Sequence, residues 1–248
     1  DLSARYLIAP NHIKRANPYV YWDRLDDSTL ILLPSSVILP RAPRHGLVVN
    51  LAEKRMYDYT VAGKVRVFSI GIGRKDWPTP LGTFKITSKR HLPVWTVPRA
   101  VMQEEKEKGN ILPSRVPPGP ENPLGEYALR LSHSSYLIHG TNDDTNIGIK
   151  STSGCVSMYN DDIEEIFKTA RTGTTVTIIN QPIKIGRKNG KKWIEIHLPQ
   201  KNTNNNLTIA REDAIMAKIL EKFEFSPYEL NLINIIISEN SSLPHRLN

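Results

Sequence analysis

"YLIHGTNDDTNIGIKSTSGCVSMYNDDI", residues 136–163, contains a strand ending, a polar loop, a glycine–cysteine turn and a helix start. The apolar "YLI" reads as a short strand that stops at His139-Gly140. After the cysteine, "NDDIEEIFKTARTG" (160–173) reads as a helix with Asn160 or Asp161 as its cap. Acids fill its first turn, basic residues its last, and Gly173 ends it. Cys155 is the only cysteine in 248 residues. An intramolecular disulfide and a cysteine-based zinc cluster are therefore both excluded.

A lone cysteine is ordinarily a small buried hydrophobe. Here the neighbours favour chemistry. A cysteine nucleophile needs a base, a group that orients the base, and donors for an oxyanion. His139 closes an apolar strand and so sits at a rim between core and loop. Gly140 follows it, with a carbonyl accessible to fix the imidazole tautomer. Cys155 follows sixteen positions after His139, far enough for a loop to bring the two together. The flexible "KSTSG" approach allows the Gly154 and Cys155 amides to face a developing oxyanion. Closeness to a helix start is expected to bias the thiol toward thiolate. A zinc reading would need His139, His133 and an acid from 143–144, and no HExxH-like spacing supports it. No metal or cofactor is expected.

Outward from this segment the pattern is mainly β. "EYALRL" (126–131) and "YLIHG" form a hairpin across "SHSS". "LVVNLAEKRMYDYT" (47–60) and "KVRVFSIGIG" (64–73) read as two strands of a meander, and "TPLGTFKITSKR" (79–90) as a turn and a third. Residues 91–124 are a long proline-rich excursion holding one polar helix (100–109) and read as a lid or groove wall, with His91 at its mouth. "TTVTIIN" (174–180) and "KKWIEIHL" (191–198) close the β domain. Residues 1–40 read as irregular, with two short strand-like stretches. "KNTNNN" (201–206) reads as a polar linker. Two helices follow, over 208–223 and 226–240, the second opening with a capping box of Ser226, Pro227 and Glu229.

The chain carries a formal net charge of +8, which suits an anionic partner. Nucleic acid is disfavoured, because the densest basic cluster, "GRKNGKK" (186–192), reads as a hairpin turn. The longest apolar runs are far too short to span a bilayer. The chain opens on Asp1, not Met, so it is read as processed or trimmed, with any signal peptide out of view.

The 136–163 segment resembles the active-site segment of bacterial L,D-transpeptidases of the YkuD type. "GLVVNLAEKRMYDY", "GIGRKDWPTPLGTF", "ILPSRVPPGPENPLGEYALRL" and "VTIINQPIKIGRKNGKKWIEIH" resemble the envelope subgroup of Gram-negative bacteria. "NPYVYW" and "LILLPSSVILP" resemble the end of the LysM-like segment that precedes that catalytic domain. The resemblance covers roughly residues 17–200. It implies a mainly β (α+β) fold, the L,D-transpeptidase β-sandwich with a capping loop, and it leaves the C-terminal helical hairpin unaccounted for. The implied organisation is an N-terminal appendage (1–43), a catalytic domain (44–180), a β extension (181–200), and a linker with helices (201–248).

The family implies a cysteine acyltransferase acting on peptidoglycan tetrapeptide stems. Cys155 would attack the diaminopimelate–D-alanine bond, with His139 as base and the Gly140 carbonyl orienting it. The Gly154 and Cys155 amides, with Ser153 beside them, would form the oxyanion hole. Asn142, Thr141, Trp77 and Ser157 would line the substrate groove. The acyl acceptor would be an amine, on a second stem or an anchored envelope protein, and water would give carboxypeptidase activity. A periplasmic location and acylation by carbapenems are implied too. Two positions depart from the family pattern. Ser153 stands where histidine is usual, and Ser157 where arginine is usual. The alternative reading is a non-catalytic wall-binding protein that keeps the fold.

Overall fold

The 47–60 stretch folds as a hairpin, not one strand. β1 (Leu47–Asn50) and β2 (Arg55–Asp58) pair antiparallel, with Asn50 opposite Arg55. The break comes from a turn at 51–54 in which Lys54 adopts φ 54°. The buried Glu53 carboxylate ties it, accepting from Asn50 Nδ2 at 2.6 Å and Tyr57 Oη at 2.8 Å. No glycine or proline marks this turn, which is why alternation alone runs through it. The structure is a computed structural model that describes residues 2–132, 135–198 and 223–248.

The described residues fall into two compact units: those up to Asn11 with Ala42–Asn180, and His12–Arg41 with those from Gln181 on. The 1–43 segment is thus divided between them. In the larger unit β3 (Arg66–Ser69) extends the meander, and β4 (Ile72–Gly73) pairs with β10 (Lys150–Thr152). Five further strands are β5 (Gly82–His91), β8 (Tyr127–Leu131), β9 (Leu137–His139), β11 (Val156–Ser157) and β12 (Thr175–Ile179). The principal sheet runs β3-β2-β1-β12-β5-β8-β9-β11.

β5 is the corner. Its first half pairs with β12 and its second with β8, and the register shifts between Ile86 and Ser88. A strand that changes partners across a bulge turns one sheet into two facing layers. The core shows the result. Val49, Met56 and Val176 from one layer share a cluster with Leu129, Leu131, Ile138 and Val156 from the other. The unit is a mainly β, α+β sandwich. Apolar burial of this extent, at roughly 25 cal/mol per Å², is its main favourable term.

α4 (Asn160–Thr169) adds Ile163 and Ile166 to that core. Its cap is Tyr159, one residue before the expected position, and no side chain caps it. Asn160 is the first helical residue, and its amide is committed elsewhere, as described below. In the 91–124 excursion, β6 (Trp95–Thr96) pairs with β7 (Arg115–Val116) on either side of α3 (Arg99–Glu107).

The N-terminal expectation is corrected. α1 (Leu2–Tyr6) and α2 (Pro10–Ala16) are helical, and no strand forms among residues 17–46. The apolar runs there pair with no strand, and side chains take backbone bonds that a ladder would use. The Asn17 amide donates to Leu32 O and accepts from Leu32 N, and Ile38 N donates to Glu195. Pro34 and Pro40 lack the N–H a strand needs.

In the smaller unit β13 (Ile183–Lys188), β14 (Lys191–Ile196) and β15 (Pro244–Arg246) form an antiparallel sheet. The Asn189-Gly190 turn, with φ 51° and 74°, is the expected two-residue hairpin. α5 (Pro227–Glu239) has the full Ser226–Glu229 capping box and buries Ile233 and Ile236 with Ile194. The helix expected over 208–223 and the 201–206 linker lie outside the described residues, save Phe223. No described helix is long and apolar enough to cross a membrane.

Candidate active site

β9 and β11 are parallel neighbours, with Ile138 beside Val156 and His139 beside Ser157. Ile138 and Val156 point into the core, so Leu137, His139, Cys155 and Ser157 turn to the opposite face. One position earlier in that register Cys155 meets Leu137, whose N–H donates to Cys155 Sγ at 3.4 Å. The loop between them thus returns Cys155 to the strand end that holds His139, as diagonal neighbours on one face.

His139 is 6% exposed. Its Nδ1 lies 2.6 Å from Gly140 O. A carbonyl only accepts, so Nδ1 carries the proton and Nε2 presents the lone pair of a base. Burial holds the imidazole pKa down at about 4, with the Gly140 bond opposing it. His139 is therefore neutral and basic at pH 7. Burial pushes the Cys155 thiol up, while the Leu137 N–H and the positive charge of Arg130 draw it back. The expected thiolate bias is corrected. Desolvation outweighs the helix start, which lies five residues on. The resting pair is a neutral thiol and a neutral imidazole.

Asn160 holds the orienting carbonyl in place. Its Nδ2 donates to Thr141 O at 2.8 Å, and its Oδ1 accepts from Glu126 N at 3.2 Å. This clamps the Gly140-Thr141 turn between the helix start and β8. Gly154 adopts φ 94°, and a Cβ there would overlap the Tyr136 ring. Only glycine fits this turn, on both counts. Thr152 Oγ1 donates to Cys155 O at 2.6 Å, fixing the peptide that follows Cys155.

The other expected residues are placed as follows. Ser153 is half-buried in the same turn. Thr141 is buried, and its hydroxyl closes a local turn with the Asp143 backbone. Asn142 is exposed. Trp77 lies 4.8 Å from the Arg74 guanidinium, which pairs with Glu104 of α3. The Arg74 N–H donates to Thr152 O, joining that loop to the cysteine turn. Ser157 is 2% exposed, sits against Gly71 where a Cβ would meet its hydroxyl, and has no hydrogen-bond partner for that hydroxyl among the described residues. His133 lies outside the described residues.

A family model described as the L,D-transpeptidase catalytic domain (YkuD) matches residues 44–178, more than half the chain. The chain belongs to the YkuD family of L,D-transpeptidase catalytic domains. It is 38% identical over 206 residues to the probable L,D-transpeptidase YcfS of Escherichia coli K12, covering 80% of this chain and 64% of that protein. It is 36% identical over 202 residues to the probable L,D-transpeptidase ErfK/SrfK of Salmonella typhimurium, covering 80% and 65%. The chain thus spans less than two thirds of the length of these relatives. A solved Enterococcus faecium L,D-transpeptidase is 19% identical, with TM-score 0.40, covering 60% of this chain and 55% of that one.

The structure adds Tyr136, Asn160 in a role beyond the helix start, and a cavity of about 480 Å³ whose lining includes Arg90, Leu92, Arg115, Arg130 and Leu137, with His91 there as its place at the mouth of the excursion implies. Arg130 was legible only as the outward position of the apolar strand "YALRL".

Proposed function

We propose that this chain is a cysteine L,D-transpeptidase that acts on the tetrapeptide stems of peptidoglycan in the bacterial envelope. One observation carries the reading. Cys155 immediately precedes β11, the parallel neighbour of the strand that ends at His139, and the imidazole tautomer is pinned so that its free nitrogen is the basic one.

Nε2 of His139 takes the Cys155 proton as Sγ attacks the carbonyl of the diaminopimelate–D-alanine bond. The Gly154 and Cys155 amides receive the oxyanion. Collapse breaks the C–N bond, and His139 returns the proton to the departing D-alanine amine. An acceptor amine then gives a proton to His139 and attacks the thioester, which restores the thiol. A side-chain amine of a second stem gives a crosslink, a lysine of an anchored envelope protein gives attachment, and water gives hydrolysis. Because the resting pair is neutral, proton transfer accompanies attack. The reaction face is periplasmic in this reading, where the stems are.

The test is D-alanine release from purified tetrapeptide stems. Cys155→Ala and His139→Gln are expected to abolish it while the thermal transition persists. Intact mass spectrometry is expected to show a carbapenem adduct on Cys155. Release by Cys155→Ala equal to that of the parent protein would overturn the assignment.

A further inference from the structure

The strand pair that carries the site has a second set of side chains on its outer face. In the β5–β8 register Ser88 faces Arg130 and Arg90 faces Ala128. Ala128 and Arg130 in turn face His139 and Leu137 across β8–β9. Residues at these positions share the face of His139, away from the core. Arg90 and Arg130 are therefore diagonal neighbours on the floor of the 480 Å³ cavity, and Arg115 enters its lining from β7 in the capping loop. Apolar walls come from Leu92, Leu124 and Leu137.

No aspartate or glutamate lines this cavity. None of the three arginines has a carboxylate partner among the described residues, whereas Arg66 and Arg74 are each paired. Three guanidiniums gathered without a counter-charge repel one another, and an anionic ligand relieves that cost. The guanidinium fork matches a carboxylate bidentately. The volume suits a short peptide segment rather than a polymer. Leu137 lines the cavity, and its own N–H holds Cys155 Sγ. A peptide seated there has its backbone beside the thiol.

We propose that Arg90, Arg115 and Arg130 form the subsite for the carboxylates of the acyl-donor peptide, and that they select free carboxylates against the corresponding amides. The proposal rests on reading the chain as a peptide acyltransferase. It makes the three arginines specificity-determining residues, with apolar walls that take the methylenes between the charged groups.

The test separates binding from turnover. Cys155→Ala protein is titrated calorimetrically with a tetrapeptide stem bearing free carboxylates and with the same peptide fully amidated. The free acid is expected to bind at least ~10-fold tighter, and Arg90→Gln and Arg130→Gln each to cut that preference about 10-fold. Arg130→Lys, which keeps charge but loses the fork, is expected to retain part of it. Added salt is expected to weaken the acid and leave the amide unchanged. Equal affinity for acid and amide overturns the proposal, as does an undiminished preference in the Arg90→Gln/Arg130→Gln double variant. D-alanine release by the parent protein is scored separately. Selective binding without release sinks the functional reading and leaves the subsite standing, and release without selectivity does the reverse.

Discussion

Asp162→Asn is expected to stabilise the protein at pH 8 and to change stability by less than about 1 kcal/mol at pH 4. Asp162 lies in the first turn of α4, is 5% exposed, and has no hydrogen-bond partner on Oδ2 among the described residues. Burial, then the charges of Asp161 and Glu165, push its pKa from 3.8 up to about 7. Below pH 3.8 both folded and unfolded chains carry the proton, and no stability is at stake. As pH rises through this window the unfolded carboxyl ionises first, so stability falls. A span of about three pH units at 1.36 kcal/mol each makes the full loss about 4 kcal/mol near pH 7. Asparagine keeps the shape and never ionises. Its NH₂ still wants a partner, so the gain at pH 8 is expected between about 1 and 4 kcal/mol.

His139 works in the opposite sense over nearly the same window. Its unfolded imidazole takes a proton as pH falls through 6.5, and the folded one only near 4. Stability is thus complete above pH 6.5 and drops by about 3 kcal/mol by pH 4. In the parent protein the two slopes offset each other. Asp162→Asn exposes the His139 slope, and urea unfolding at pH 4, 6 and 8 reads it directly. A destabilised variant at pH 8 would show that the carboxylate is paired when charged. A gain equal at all three values would show that the effect is packing. Either result refutes the reasoning.

Gly154→Ala is expected to lower kcat about 10²–10³-fold, since the φ of 94° and the Tyr136 ring both force the turn proposed to hold the oxyanion to move; steady-state D-alanine release checks it. Asn160→Ala is expected to cost about 1–2 kcal/mol in urea unfolding and to lower kcat more than it raises KM, because the Gly140-Thr141 turn loses its clamp. Asn160→Asp, which keeps the acceptor and loses the donor, is expected to fall between them. The pH profile of kcat/KM is expected to rise through about 4, where His139 becomes neutral, and to stay flat across neutrality. Iodoacetamide labelling of Cys155 is expected to accelerate only at alkaline pH, with no acidic shoulder. A shoulder would mean a resting thiolate–imidazolium pair.

Much of this was legible from side-chain patterning. "YLI" before His139 and the lone Cys155 placed the pair, and alternation found β5, β8 and β12. The misses have physical causes. The β1–β2 turn is made by a buried glutamate, which alternation cannot see. Residues 30–40 have strand composition, but asparagine and glutamate side chains take their backbone groups. The thiolate expectation counted the helix start and not the desolvation, which is a property of packing and not of order along the chain. Arg90 and Arg115 are 25 residues apart in sequence, and only the cavity shows them together.

The neutral resting pair and the arginine cavity bear on one another. A half-buried thiol whose pKa is raised, beside a buried neutral imidazole, is unreactive in bulk, which suits a free cysteine in the oxidising envelope proposed for this chain. Reaction then needs a carbonyl held against Sγ long enough for the proton to transfer as the bond forms. The residues able to hold it lie on the same sheet face. Arg130 in β8 faces Leu137, and Leu137 holds the sulfur. Binding a carboxylate at Arg130 also removes part of the positive field that draws the thiol pKa down. A bound donor would therefore raise the cost of a free thiolate and favour transfer directly to Nε2. On this arithmetic Arg130→Gln weakens donor binding without creating a more reactive thiol. Its iodoacetamide rate in the absence of peptide is expected to fall slightly, and a rise would break the link between the cavity and Cys155.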